Sequence, residues 1–241
     1  MIYLNYFTKL GLFLYIVIYL IFPKIAITEN TKVDIRRNLE NALNTRNFKL
    51  INSLFKEEEN FRIQEKFREI IKNFPNSKWQ IEKLSEEKSK EKIFRIKVNG
   101  KKIVRGEIYF IESNFHYLFT THKDKINNGN IKNLLTTIRN DQNKIDIIFG
   151  IPEKVLTGTK YDIDIILNEP LGDVIIAGGI ISHQDESYLK QEINIQPLAS
   201  GGIFKSTRAS SKPSTQIWSG IIAHPKGTIS FTKSVEIVEK I

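Results

Sequence analysis

The sequence predicts an α+β module followed by an all-β sandwich, with a hydrophobic helix ahead of both. Three observations predict this. Leu10 to Phe22 is an unbroken apolar run. Between residues 31 and 74 the apolar residues recur at helical spacing, and from Trp79 the period changes to two. After the polar stretch Asn140-Asp141-Gln142-Asn143 the helical pattern disappears, and short strands recur between Gly and Pro turns. The expected divisions are residues 1–28, 30–140 and 144–241.

As a helix, the thirteen residues of Leu10–Phe22 span about 20 Å, short of the roughly 30 Å hydrocarbon core. That length suits the apolar centre of a signal peptide. Counted from Ile2, the stretch has twenty-one residues and would span. Pro23 ends the helix, and Ala26-Ile27-Thr28 is a rough small-residue cleavage site. An uncleaved anchor and a cleaved signal both fit, whereas a buried core helix would show a polar stripe. Lys24, Lys32, Arg36 and Arg37 after the run favour a cytoplasmic C-terminal side. The short basic start and the Pro and small residues that close the segment favour export. The expectation is a membrane-associated chain with its soluble part outside the cytoplasm, or a cleaved and exported one.

Thr31 with Asp34 resembles a capping box, and Ile35, Leu39, Ala42 and Leu43 form the first helical stripe. Phe48, Ile51, Leu54 and Phe55 mark a second short helix. A third runs from about Glu59 to Asn73, with Phe61, Phe67, Ile70, Ile71 and Phe74 on one face and Pro75 as its stop. A strand follows from Trp79 to Leu84, then another from Lys92 to Val98. Asn99-Gly100 is the hairpin signal, because a type I′ turn needs positive φ at both central residues. Lys102–Glu112 should return with Val104, Gly106, Ile108 and Phe110 on one face, and Ser113-Asn114 should turn into Phe115–His122. Asn127-Asn128-Gly129-Asn130 should open a short helix at Ile131–Ile138.

In the second part the expected strands are Ile145–Ile148, Tyr161–Leu167, Val174–Ser182, Leu189–Ile195, Gly202–Ser206, Thr215–His224 and Thr228–Val238. Gly178-Gly179 lies inside one of them and reads as a bulge or kink. Trp218, beside Ile217 and Ile221, reads as sandwich core. Phe94, Phe110, Tyr117 and Phe119 read as core of the first part rather than a base-stacking platform.

The stretch from Leu39 to Phe55, with its Asn44-Thr45-Arg46-Asn47 break, looks like the first helices of NTF2-like domains. The third helix and the strands from Trp79 to His122 are similar to the same cone-shaped α+β layout, so the resemblance covers about residues 30–140. Pro152, the run Gly158–Ile165, Thr215–Trp218 and Pro225-Lys226-Gly227 through Val238 look like strands of an immunoglobulin-like or fibronectin-like sandwich over 144–241. The sequence departs from antibody domains in lacking a cysteine pair. A hydrophobic N-terminus followed by two such modules resembles uncharacterised membrane-associated proteins, cyanobacterial ones among them, and this transfers no activity. The NTF2 resemblance implies a pocket between sheet and helices.

Chemistry is sparse. With no cysteine there are no disulfides, thiolate metal sites or cysteine nucleophile. His116 and His122 share a strand parity, but six residues of strand hold them about 20 Å apart, too far for one metal. No cofactor and no metal is expected. Ser-x-x-Lys recurs, as at Ser85–Lys88, Ser187–Lys190 and Ser230–Lys233, in a Lys-rich chain without the companion motifs of penicillin-binding enzymes. No Walker A, G-x-G-x-x-G or G-x-S-x-G is present. Glu107, Tyr109 and His116 on the meander are the candidates for a ligand pocket. Lys205, Arg208 and Lys212, in the hydroxyl-rich stretch Lys205–Lys212, are the candidates for an anion or partner loop, against the plain reading of a mobile hairpin loop.

The net charge of +9 is unevenly placed. Residues 29–149 carry 25 basic and 17 acidic side chains, whereas residues 150–241 carry 9 and 10. The excess sits beside the hydrophobic segment as a juxtamembrane basic face. Acidic residues alternate with basic ones along the first helices, which argues against nucleic acid as a partner. The expected function is a non-catalytic, membrane-tethered or exported binding or assembly protein with a protein partner. The alternative is a small-molecule binder or enzyme using the NTF2-like pocket. Electrostatic attachment to anionic lipid is the third reading.

Overall fold

The computed structural model describes residues 34–56, 61–84, 91–140, 145–168, 174–183, 192–198 and 201–240. The expected hydrophobic segment, residues 1–28, and most of the expected polar linker lie outside these. Among the described residues, no helix is long and apolar enough to cross a membrane.

Three helices come first: α1 (Ile35–Asn44), α2 (Phe48–Leu54) and α3 (Phe61–Asn73). The α1 stripe is as expected, since Ile35, Leu39, Ala42 and Leu43 are its buried residues. Its N-cap is Asp34, whose carboxylate accepts from the Arg37 amide at 3.1 Å. Asn47 caps α2 by accepting from the Leu50 amide at 3.0 Å. Four long strands follow: β1 (Lys78–Lys83), β2 (Lys92–Val104), β3 (Glu107–His122) and β4 (Lys125–Arg139). The rest of the chain gives β5 (Ile147–Gly150), β6 (Lys154–Leu156), β7 (Lys160–Leu167), β8 (Ala177–His183), β9 (Gln196–Pro197), β10 (Gly202–Arg208), β11 (Ser214–His224) and β12 (Gly227–Val238).

The strands do not divide into two modules. One sheet runs β1-β2-β3-β4-β12-β11-β8-β9, with β6 added in parallel to the end of β12. A second, three-stranded sheet has the order β10-β7-β5. The seam is β4 against β12, from Ile229↔Arg139 to Lys233↔Leu135. This overturns the resemblance to an NTF2-like cone joined to a separate immunoglobulin-like sandwich. The protein is mostly β, with antiparallel sheets and three short helices.

Directly opposed residues face the same side of a sheet. The row Trp79–Val98–Ser113–Thr136–Thr232–Ser219–Ile181 therefore lies on one face. The next row, Gln80–Lys97–Asn114–Leu135–Lys233–Trp218–Ser182, lies on the other. The helices bury the first face, where Leu39, Ile51, Phe67, Trp79, Ile96, Phe115, Tyr117 and Phe119 form one core. The small sheet buries the second face, where Ile163, Ile165, Trp218, Ile222, Phe231 and Val235 form another. One sheet thus carries two cores on opposite faces at opposite ends.

Three expectations about the meander fail for one reason. The β2–β3 turn is not at Asn99-Gly100 but at Arg105-Gly106, with φ of 52° and 87°. A turn at Asn99-Gly100 would set Arg105 against Phe94. The observed register instead sets Tyr117 against Phe94 and Phe115 against Ile96, all four buried. Burial of one face fixes the register. Ser113-Asn114 is consequently not a turn but the middle of β3, and its Ser113 hydroxyl bonds Thr136 across to β4 at 2.6 Å. The expected helix Ile131–Ile138 is strand β4, because β3 on one side and β12 on the other both supply ladder partners. The pairing of β3 with β4 is broken by two β-bulges, one in the Asn-rich stretch and one inside the expected helix. Register shifts fall between Asn114/His116 and Leu118/Thr120 on β3, opposite Asn133 (φ 51°) and Asn128 (φ 48°) on β4.

Two further corrections concern the second half. Gly178-Gly179 makes no bulge, since β8 pairs evenly with β11 from Ala177 to His183. The glycines instead let backbone approach: a Cβ at 178 would stand 2.8 Å from the Ile221 carbonyl oxygen, and one at 179 would overlap that of Asn194. Residues 192–195, expected at the end of a strand, form none.

The β1 edge is closed by side chains. The Asn44 amide donates to the Trp79 carbonyl and accepts from the Trp79 N–H, both at 2.9 Å. Arg36 donates to the Ile81 carbonyl at 3.2 Å. Asn44 thereby imitates a neighbouring strand and protects the edge. We expect Asn44→Ala to lower stability by about 1–2 kcal/mol in denaturant titration, because it strands two backbone groups. A change below a few tenths would show that water replaces the amide without cost.

Candidate functional site

The six sequence candidates fall into three places. Glu107 and Tyr109 stand near the start of β3. Asn140 donates to Glu107 Oε2 at 2.8 Å, and Tyr109 Oη donates to the same oxygen at 3.1 Å. That bond to the carboxylate raises the Tyr109 phenol above its ordinary value. Asn140 in turn accepts from the Thr228 amide at 2.6 Å, so the cluster ties the β3 root to the β11–β12 hairpin.

His116 lies nine residues along β3 from Glu107, about 30 Å at strand rise. It faces away from the helices, opposite Arg95 on β2 and Lys132 on β4. Asn133 Nδ2 is 3.1 Å from His116 Nδ1. Partial burial, then the Arg95 charge, lowers the imidazole below its ordinary value. The three pocket candidates therefore do not converge. The space between helices and sheet, where the resemblance placed a pocket, is occupied by the rings of Phe55, Phe67, Phe94, Trp79, Tyr117 and Phe119.

Lowering of the His116 value gives a pH prediction. Below pH about 6.5 the unfolded chain takes up the proton first, so stability falls as pH drops through the folded-state value. Chemical denaturation between pH 7.5 and 5 should show this loss, and His116→Gln should flatten it. An equal slope in the variant would assign the acid sensitivity elsewhere.

Beyond His116 lies a buried carboxylate that sequence reasoning missed. Glu236 on β12 is 5% exposed, with Lys132 Nζ at 3.2 Å and Lys154 Nζ at 3.7 Å. No spacing signal marks it, because its partners come from β4 and β6. Both lysine side chains are partly exposed, which suits a structural ion pair at the point where β6 replaces β4 beside β12.

Of the third group, Lys205 and Arg208 are in strand β10 rather than in a loop. Lys205 Nζ lies 5.3 Å from the centre of the buried Trp218 ring. Arg208 donates to the Gly158 carbonyl at 2.6 Å, and only Lys212 stands in the following bend. Trp218 itself donates to Tyr161 Oη at 3.1 Å, which donates to Gln216 at 2.6 Å.

The surface feature that stands out is apolar. The pairing of β1 with β2 ends at Lys78↔Asn99, and that of β4 with β3 ends at Phe110↔Arg139. Beyond these points Gly100–Val104 on β2 and Glu107–Tyr109 on β3 have no second strand neighbour among the described residues, and they form a two-stranded arm. Ile103 is 71% exposed, Ile108 45% and Phe110 40%. Ile103 opposes Ile108 across the arm. Phe110, Arg139 and Ile229 form a row on that face. The row leads into a cleft of about 330 Å³ lined by Thr137, Arg139, Ile145, Asp146, Ile147, Phe149 and Ile229. Arg139 Nη2 donates to the Ile145 carbonyl at 2.7 Å, and Phe149 meets Phe231 with ring centres 5.1 Å apart. Phe110, expected in the core, belongs to this surface because even-numbered positions on β3 face away from the helices. The rest of that face of β1–β3 carries the polar residues Gln80, Glu82, Arg95, Lys97, Glu112, Asn114 and His116, and, at the other end of the strands, the half-buried pair Ile93–Leu118.

Residues 142–238 match the family described as a domain of unknown function (DUF8623). That stretch holds β5 to β12 and the core around Trp218. No curated protein matches the chain, and no solved structure matches it.

Proposed function

We propose that the chain is a non-catalytic binding or assembly protein that meets a protein partner through the arm and the cleft beside it. The observation that carries this is the exposed apolar stripe Ile103–Ile108–Phe110, bordered on the same face by the polar residues Lys97, Glu112 and Asn114. The scatter of Glu107 and His116 along one strand, and the ring-filled space under the helices, favour it over the pocket enzyme. In the same reading the apolar run Leu10–Phe22 tethers the chain to a membrane or exports it; this part rests on sequence alone.

The test is site-specific cross-linking in producing cells. A photoreactive phenylalanine at Phe110 should give a discrete cross-linked species, whereas one at His122, exposed at the far end of β3, should not. Equal cross-linking at both positions, or none at Phe110, would sink the reading. So would turnover of a small substrate that His116→Gln or Glu107→Gln abolishes.

A further inference from the structure

The arm offers backbone as well as side chains. Its turn, Arg105-Gly106, is a two-residue loop with positive φ at both positions, closed by the pair Val104↔Glu107. Such a closing pair is hydrogen-bonded, and antiparallel pairs then alternate. Val104 and Lys102 therefore bond across to β3. The N–H and C=O of Ile103 and Lys101 point the other way, to the edge on which β1 has already ended. Among the described residues no strand pairs with this edge beyond Asn99. It presents two backbone donors and two acceptors, an exposed isoleucine, and the cations Lys101, Lys102 and Arg105 against a single carboxylate, Glu107.

We infer that this edge is a strand-addition site for an extended segment of a partner protein that alternates aliphatic with acidic residues. The inference rests on the binding reading above and names the partner's chemistry. Backbone pairing would supply affinity, and the alternating side chains would supply choice. Charge selects against the obvious rival, a second copy of the same edge. Only registers that oppose Lys101 or Ile103 to Lys101 or Ile103 of the copy satisfy the outward groups. Opposing Lys101 to itself is a like-charge pair. Opposing Lys101 to Ile103 sets Lys102 against Lys102. Opposing Ile103 to itself sets Lys101 against Arg105. Directly opposed like charges destabilise a ladder, so each self-pairing is penalised and an acidic strand is favoured.

The experiment is selection of a displayed random octapeptide library on the full chain, followed by fluorescence anisotropy with the enriched peptides. Two variants accompany it. Ile103→Pro removes an outward-facing N–H together with the exposed isoleucine side chain, at a position where an edge strand tolerates proline. Lys101→Glu with Lys102→Glu reverses the charge and leaves the backbone intact. The expected result is enrichment of peptides alternating Asp or Glu with Val, Ile or Phe, and at least tenfold weaker binding to each variant. No enrichment, enrichment of basic or non-alternating peptides, or unchanged binding to the charge-reversed variant would overturn the inference. If the Phe110 cross-link forms while this selection fails, the strand-addition idea falls and the binding reading stands. If both fail, both fall.

Discussion

Gly220→Ala should destabilise the protein by about 3 kcal/mol, at the upper end of overpacking costs. The Phe231 ring lies over Gly220 on the neighbouring strand, so that an added Cβ would overlap it and would also stand 2.9 Å from the Gly179 carbonyl oxygen. Phe231 is 2% exposed and touches Phe149, which leaves the ring little room to swing away. The check is a double-mutant cycle in urea. Phe231→Leu alone removes ring volume and costs stability. Combined with Gly220→Ala, it should cost at least 1 kcal/mol less than the two single changes added together. Strict additivity would mean that the backbone contact, not the ring, sets the penalty.

Phe67→Ala should cost about 4 kcal/mol, in the range for a buried phenylalanine truncation. Phe67 on α3 is 1% exposed and stands at the centre of three edge-on ring contacts, to Trp79 at 5.5 Å and to Phe55 and Tyr117 at 6.4 Å each. It joins a helix to a sheet, so its loss removes contacts that no local rearrangement restores. The two cores share one sheet through the β4–β12 seam. Phe67→Ala and Gly220→Ala, at opposite ends, should therefore both lower the midpoint of a single unfolding transition. Two separate transitions, each shifted by only one of the changes, would show that the seam does not couple the ends.

The helices were legible because their information is local. Ile35, Leu39, Ala42 and Leu43 repeat at helical spacing and are the residues α1 buries. The chain ends of many strands were legible too, since turns such as Pro225-Lys226-Gly227 carry their own backbone preference. The hairpin turn was misplaced because Asn99-Gly100 is the stronger local signal. Its preference of a kcal/mol or so loses to the burial of Phe94, Ile96, Phe115 and Tyr117 in one register. Lys205 and Arg208 were legible as exposed cations but not as strand residues. Glu107 and His116 could be named but not placed, since distance along a strand decides whether two side chains meet.

Sequence by itself determined the helical stripes, the period-two strands, the charge excess before residue 150 and the absence of thiol chemistry. Only the tertiary structure decided that β4 joins β12, that the two cores lie on opposite faces of one sheet, and that Phe110 looks outward beside an open arm. The reason is physical. Local periodicity says that one face of an element is apolar, but which neighbour covers that face, and where cover ends, depends on pairings between residues about a hundred positions apart.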